Sequence, residues 1–262
     1  MKKNNSILDG KTATVLISLI LPIIIILFWY SGSKSASFNQ SIIPTPQKVG
    51  AAFKKMIDNG SLWQHIAASF GRVLRGFGIG AAAGIILGLF IGLYFRLNQL
   101  FAALIGVLRP IPPIAMIPLF IMWLGIGEES KIALVTVGAF WPVLLNTIAG
   151  VQSTDPKLIE VAQVFGKNKF VILKDIIIPS TIPSLFTGLR LSISTAWSCV
   201  VAAEMIAAEK GVGYLIMYAR QMSKPAELFV GIISIGVIGL AIDVLFQLIQ
   251  KKAVYWTNTA GK

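Results

Sequence analysis

The chain has 262 residues, of which 55% are hydrophobic and 13% charged, and its mean hydropathy is +0.78. An ordinary soluble domain carries about 25% charged residues. The composition excludes a disordered chain and points to an all-α polytopic membrane protein with about six spans of roughly 20 residues each. The net charge of +12 lies largely in short segments between apolar runs, where anionic lipid headgroups attract it; this excludes nucleic acid as the natural partner. A lone cysteine (Cys199) and a lone histidine (His65) exclude an internal disulfide and any thiolate or histidine metal cluster.

The first apolar run, Thr12 to Tyr30, follows Lys2, Lys3 and Lys11. It is long enough for a retained span, kinked at Pro22; the alternative is a secretory signal cleaved near Ser35-Ala36-Ser37. Residues 31–65 are more polar. They are stiffened at Pro44 and Pro46, with a short surface helix expected over Val49 to Ile57 and His65 at a helix start. Trp29, Trp63 and Trp256 sit where membrane interfaces are expected. The second run, Ile66 to Phe95, carries glycines at 76, 80, 84, 88 and 92, which share one helix face. Close helix packing is the plain reading, and a glycine-lined path the alternative.

Leu100 to Gly125 is interrupted by Pro110, Pro112, Pro113 and Pro118, which predicts a broken span with Arg109 at the break. Ile132 to Val151 is the fourth run, with Pro142 inside. The fifth, Ile182 to Ala208, holds Arg190 and Glu204; the sixth, Leu228 to Ile249, holds Asp243 and is followed by Lys251 and Lys252. Glu209 to Glu227 reads as a mixed loop. This divides the chain into an N-terminal helix and external segment (1–65), a transmembrane body (66–250) and a tail (251–262). With six spans, the side holding the termini gets eleven Lys and Arg and the other side ten, Arg72 and Arg75 among them, so charge alone barely orients the protein.

The polar stretch 152–181 carries the most information. Asp155 can cap a short helix, Pro156 suits its first position and Gly166 can close it, with Leu158, Ala162 and Phe165 on one face. A turn at Lys167-Asn168-Lys169 then leads into a second apolar segment from Phe170 that ends at Pro179. The series Glu160-x-Ala162, three residues, Gly166, nine residues, Ile176, then Ile178-Pro179 resembles the EAA loop of binding-protein-dependent ABC transporter permeases. It departs from that pattern at Val161 and at Ile178. Arg109-Pro110-Ile111-Pro112-Pro113, Trp123-Leu124-Gly125-Ile126-Gly127, Phe140-Trp141-Pro142, Gly188-Leu189-Arg190, Ala203-Glu204 and Gly211-Val212-Gly213-Tyr214 are similar to the nitrate/sulfonate/taurine group of these permeases. The resemblance covers about residues 60 to 250.

The resemblance implies a type I importer permease with a MetI-like core, one half of a membrane dimer in a bacterial cytoplasmic membrane. Two ATPase subunits would dock on the 152–181 loop and an extracytoplasmic binding protein would deliver the solute. The implied ATPase-contact positions are Leu158, Glu160, Ala162, Phe165, Gly166 and Pro179, and the implied orientation puts that loop and both termini in the cytoplasm. No P-loop is present: Gly166-Lys167 is followed by Asn168 and position 161 is Val. ATP and Mg would therefore sit on the partner, with no cofactor in this chain. Sulfonates, taurine, nitrate, bicarbonate and pyrimidine-like vitamin precursors are all solutes of the group. Candidate solute-path residues are Arg109, Arg190, Ser194, Trp197 and Glu204, with Ser198 near the same face. The plain alternatives are core packing for the fifth-span residues and, for Arg190, an ion pair with an acid such as Glu204. The competing readings are a membrane-embedded enzyme, disfavoured by the lack of paired acids or histidines in the spans, and an ion-coupled secondary transporter, for which two similar halves are expected.

Overall fold

The computed structural model describes residues 6–35, 39 and 41–255, and all its regular structure is helical. The readings on Lys2, Lys3, Ala36, Ser37, Trp256 and Lys262 lie outside the described residues. In chain order the helices are α1 (Ser6–Lys34), α2 (Pro46–Asp58), α3 (Ser61–Leu93), α4 (Phe95–Leu108), α5 (Ile117–Leu124), α6 (Glu128–Gln152), α7 (Pro156–Val164), α8 (Lys169–Ile172), α9 (Ile178–Ala207), α10 (Val212–Gln221) and α11 (Pro225–Ala253). A 3₁₀ turn, Pro113–Met116, precedes α5, and a π-helical segment, Leu173–Ile177, joins α8 to α9.

The glycine series on α3 sets the architecture. A Cβ built on Gly76 would lie 2.6 Å from Cβ of Val135, one on Gly84 3.0 Å from Cβ of Val143, one on Gly88 2.7 Å from Cβ of Thr147 and one on Gly92 2.8 Å from Cβ of Val151. Both helices advance together four residues at a time, so α3 and α6 run parallel with backbones in close approach. The glycines thus serve helix packing, and no path lies along them. Because α3 and α6 are parallel, the chain between Leu93 and Glu128 must return across the full height of the bundle. It does so through α4 and α5, bent by 78° at the proline-rich break, as the sequence predicts.

α9 packs antiparallel to α6: Gly138 faces Cys199, Gly150 faces Thr181 and Ser184, and Gly188 faces Asn146. Ser192 Oγ donates to the Ala139 carbonyl at 2.7 Å across the same seam. α11 returns antiparallel along α9. Val73, Leu134, Val135, Ala139, Ile193, Ala196, Trp197 and Val200 form the buried centre of this four-helix arrangement. Four described helices are long and apolar enough to cross a membrane, or five with the bent α4–α5 pair as one span. The remaining span of the sequence reading, its first run, falls in α1, whose Ile20–Ser33 portion is apolar; its side chains from Ile23 to Phe28 are exposed.

The two ends of the bundle differ. One, here the cap end, carries α2 and α10. Thr45 Oγ1 accepts from the Lys48 amide to start α2, and Val49, Met56, Leu62, Leu215 and Val230 bury together over the ends of α3 and α11. Trp29 ties α1 to this layer, donating to the Pro44 carbonyl at 3.0 Å and stacking on Phe229 at 5.6 Å. The stretch expected as a mixed loop, 209–227, thus contains a helix: Val212, Leu215 and Ala219 bury at helical spacing, a signal masked by Gly211 and Gly213 at its start. α3 begins at Ser61, so the boundary expected at residue 65 falls inside it. The other end, the knob end, carries α7.

Candidate functional site

At the knob end α6 stops at Gln152, and Asp155 starts α7 with its carboxylate accepting from the Lys157 amide at 2.9 Å. Pro156 takes the first position, where a missing N–H costs nothing. α7 closes through paired bonds from the Lys167 amide to the Ala162 carbonyl, 3.0 Å, and from the Gly166 amide to the Gln163 carbonyl, 2.9 Å. This geometry requires a left-handed residue at 166, and Gly166 supplies φ +68°. Asn168 then caps α8, its side chain accepting from the Val171 amide at 2.8 Å. α8 runs through the π-helical segment into α9. Pro179 therefore lies just after the π-helical segment, at the start of the α-helical part of a continuous helix, rather than ending a separate helix.

Exposure along α7 divides the predicted contact residues. Leu158, Glu160, Val161 and Gly166 are exposed; Val164 is 86% and Phe165 77% exposed, and Phe170 beyond the turn is exposed too. Ala162 is buried against its own chain, so the expectation that Leu158, Ala162 and Phe165 present one docking face is corrected: Ala162 anchors the helix and the other two face outward. Leu158, Val161, Val164, Phe165 and Phe170 thus form a group of exposed large apolar side chains at the knob end, a feature that marks a surface for contact with a protein or a membrane.

At the cap end the structure gathers charges that the sequence reading had dispersed. Arg72 of α3 is buried. Its Nη1 donates to Oε1 of Glu204 at 2.7 Å and to the Lys210 carbonyl at 2.6 Å; its Nε donates to Oε2 of Glu128 at 2.7 Å and its Nη2 to Oε1 of the same carboxylate. Glu204, 1% exposed, also accepts from Ser69 Oγ at 2.8 Å and from the Gly213 amide at 3.0 Å. Ser69 Oγ accepts from the Val212 amide, and His65 Nδ1 from the Gly211 amide. The Lys131 ammonium donates to the Gly127 carbonyl at 2.8 Å. Gly211 (φ +131°) and Gly213 lie so close to Glu204 that a Cβ on Gly211 would overlap its carboxylate. A buried charge needs this degree of pairing. The network binds the ends of α3, α6 and α9 and the start of α10 into one unit.

This relocates several predicted residues. Glu204 has both oxygens satisfied within the cap and lines no path. Trp197 is buried in the core with Nε1 donating to the Ile235 carbonyl at 3.2 Å, so it lines no surface either. Ser194 and Ser198 are exposed on α9, each donating to the carbonyl four residues back. Arg109 is exposed at the end of α4, beside the break. Arg190 pairs with Asp243 of α11, Nε to Oδ1 at 2.7 Å and Nη2 to Oδ2 at 2.9 Å, and not with Glu204, which lies nearer the opposite end of α9. Arg72 and Ser69 were missed. The available signal was an arginine inside an apolar run starting at Ile66, which marks an intramembrane charge and not a loop charge.

The model of the family described as "binding-protein-dependent transport system inner membrane component" matches residues 80–255. The chain belongs to this family. This family member is 36% identical over 241 residues to a putative aliphatic sulfonates transport permease protein of Bacillus subtilis, covering 92% of this chain and 87% of that protein. It is 30% identical to the taurine transport system permease protein of Escherichia coli, covering 89% and 86%. It is thus an ABC transporter permease, a multi-pass inner-membrane protein, with sulfonate and taurine permeases among its relatives. Its fold matches a permease chain of the inward-facing MetNI methionine ABC transporter with a TM-score of 0.58 at 20% identity, over 74% of this chain and 94% of that one. The MetI-like fold expected from the EAA-like loop is therefore the one observed.

Proposed function

We propose that the chain is the membrane-spanning subunit of an ATP-driven importer for a small anionic solute, an aliphatic sulfonate or taurine first, nitrate or bicarbonate next. A binding protein outside the membrane delivers the solute, two copies of the chain enclose the path, and two ATPase subunits dock on the two copies of α7. The knob end and the termini face the cytoplasm. One observation carries the reading: a projecting helix, closed by a left-handed glycine, offers Leu158, Val161, Val164 and Phe165 to a partner, in a chain without a P-loop.

The mechanics follow from how α7 is attached. It is joined to α6 through the short turn 153–155 and to α9 through α8 and the π-helical segment. When the ATPase pair closes, each α7 moves with its subunit. α6 and α9, packed along their length through Gly138, Gly150 and Gly188, turn with it as one body. The cap network keeps the far ends of α3, α6 and α9 together during that motion, so rocking of the knob end is transmitted to the mouth. The exposed hydroxyls Ser194 and Ser198 on α9 are suited to a wetted face between the two copies.

Co-purification with the ATPase encoded beside it, wild type against Gly166→Trp, tests the reading. Wild type retains the ATPase; the variant, still inserted, loses it. Failure of wild type to retain any ATPase contradicts the reading.

A further inference from the structure

We propose that the groove between α9 and α11 at the knob end binds a small oxyanion, a phosphate or sulfonate group, held by Arg190 and Lys251. The groove encloses about 590 Å³, and Ser184, Thr187, Arg190, Gln247, Gln250 and Lys251 are its polar lining. No carboxylate lines it. Asp243 engages Arg190 through Nε and Nη2 only, which fixes the guanidinium and leaves its Nη1 hydrogens without a partner among the described residues. Lys251 is exposed and has no ion pair among the described residues, and the Ser184 hydroxyl and Gln247 amide also have no partner among them. Gln250 Nε2 donates to Thr187 Oγ1 at 3.4 Å, tying the two walls together at the mouth.

Depth makes this lining informative. At 1.5 Å per residue, Arg190 lies about 18 Å from the start of α9 and Asp243 about 15 Å from the end of α11. The Arg190 Nη1 edge at that depth faces water or a ligand, since lipid tails would leave it unsatisfied; Ser184 and Gln247 lie about 9 Å and Lys251 about 3 Å from the same helix ends, so the groove runs from the end of the span up to that edge. A preorganised guanidinium edge and an ammonium, with one hydroxyl and one amide between them, match the tetrahedral oxygens of a sulfonate or phosphate through charge-assisted hydrogen bonds. Two sources supply that chemistry: the headgroup of an anionic phospholipid, or a free anion in the aqueous space at this end. The site rests on the importer reading only in taking a sulfonate as the free anion.

The test uses purified full-length protein in neutral detergent, without ATPase, and follows the thermal unfolding midpoint against ethanesulfonate and, separately, phosphatidylglycerol. One of the two raises the midpoint in wild type and in Lys54→Gln, a change at an exposed position of α2 at the cap end. Lys251→Gln and the charge-balanced pair Arg190→Gln/Asp243→Asn weaken that response about tenfold or more. A response to ethanesulfonate assigns the site to a free anion; a response to phosphatidylglycerol alone assigns it to a headgroup. The proposal is overturned if neither ligand acts, or if both variants respond as wild type does. Because the ATPase is absent, failure here is distinguishable from failure of the importer reading, which is read from ATPase retention.

Discussion

At the cap end, Arg72 has its guanidinium engaged by Glu128, Glu204 and the Lys210 carbonyl, and three protein groups converge on Glu204. At the knob end, Val164 and Phe165 are left outside the chain that carries them. One end satisfies costly groups internally; the other leaves apolar surface for something else to cover. Internal pairing of buried charge stabilises the protein's own fold, whereas exposed apolar surface contributes only when a partner arrives. Substitutions at the two ends therefore separate into those that unfold the protein and those that disconnect it.

The largest expected loss comes from Arg72→Met. It strands the buried Glu204 without a cation and costs about 3–5 kcal/mol, visible as a lower unfolding midpoint in detergent. Glu204→Gln, which keeps the shape and part of the bonding, loses less. Next are the cap glycines. Gly211→Ala forces a side chain into a left-handed position already filled by the Glu204 carboxylate, for about 1–3 kcal/mol and faster amide exchange at Val212 and Gly213. Gly88→Leu drives α3 off α6 at Thr147, with a penalty of similar or smaller size as the helices separate. Phe165→Ser has the smallest effect on stability, within about 0.5 kcal/mol, yet it abolishes ATPase retention. If Phe165→Ser unfolded the protein, or Arg72→Met left its stability unchanged, the contrast between the ends would fail.

Much of the fold was legible because apolar periodicity and proline placement act locally. The proline cluster at 110–118 gave the break between α4 and α5. The four-residue glycine spacing gave the α3 seam, though only the structure names Val135, Val143, Thr147 and Val151 as its partners. α7 was readable from Asp155, Pro156 and Gly166, which act within one helix. The cap was not, since Arg72, Glu128 and Glu204 meet from three helices far apart in sequence, and a charge near a span end looks the same whether solvated or buried. The same limit hid the Arg190–Asp243 pair behind an expected Arg190–Glu204 pair. Both acids lie in apolar runs, and only the antiparallel register of α9 and α11 selects Asp243.

The most direct test replaces Phe165 by cysteine. The native Cys199 is 1% exposed and its thiol is shielded, so a maleimide reports on position 165 alone. The labelling rate is measured with and without the ATPase bound. The account predicts rapid labelling of the free permease and strong protection in the complex. Equal rates with the ATPase demonstrably bound would show that the knob is not where the two proteins meet.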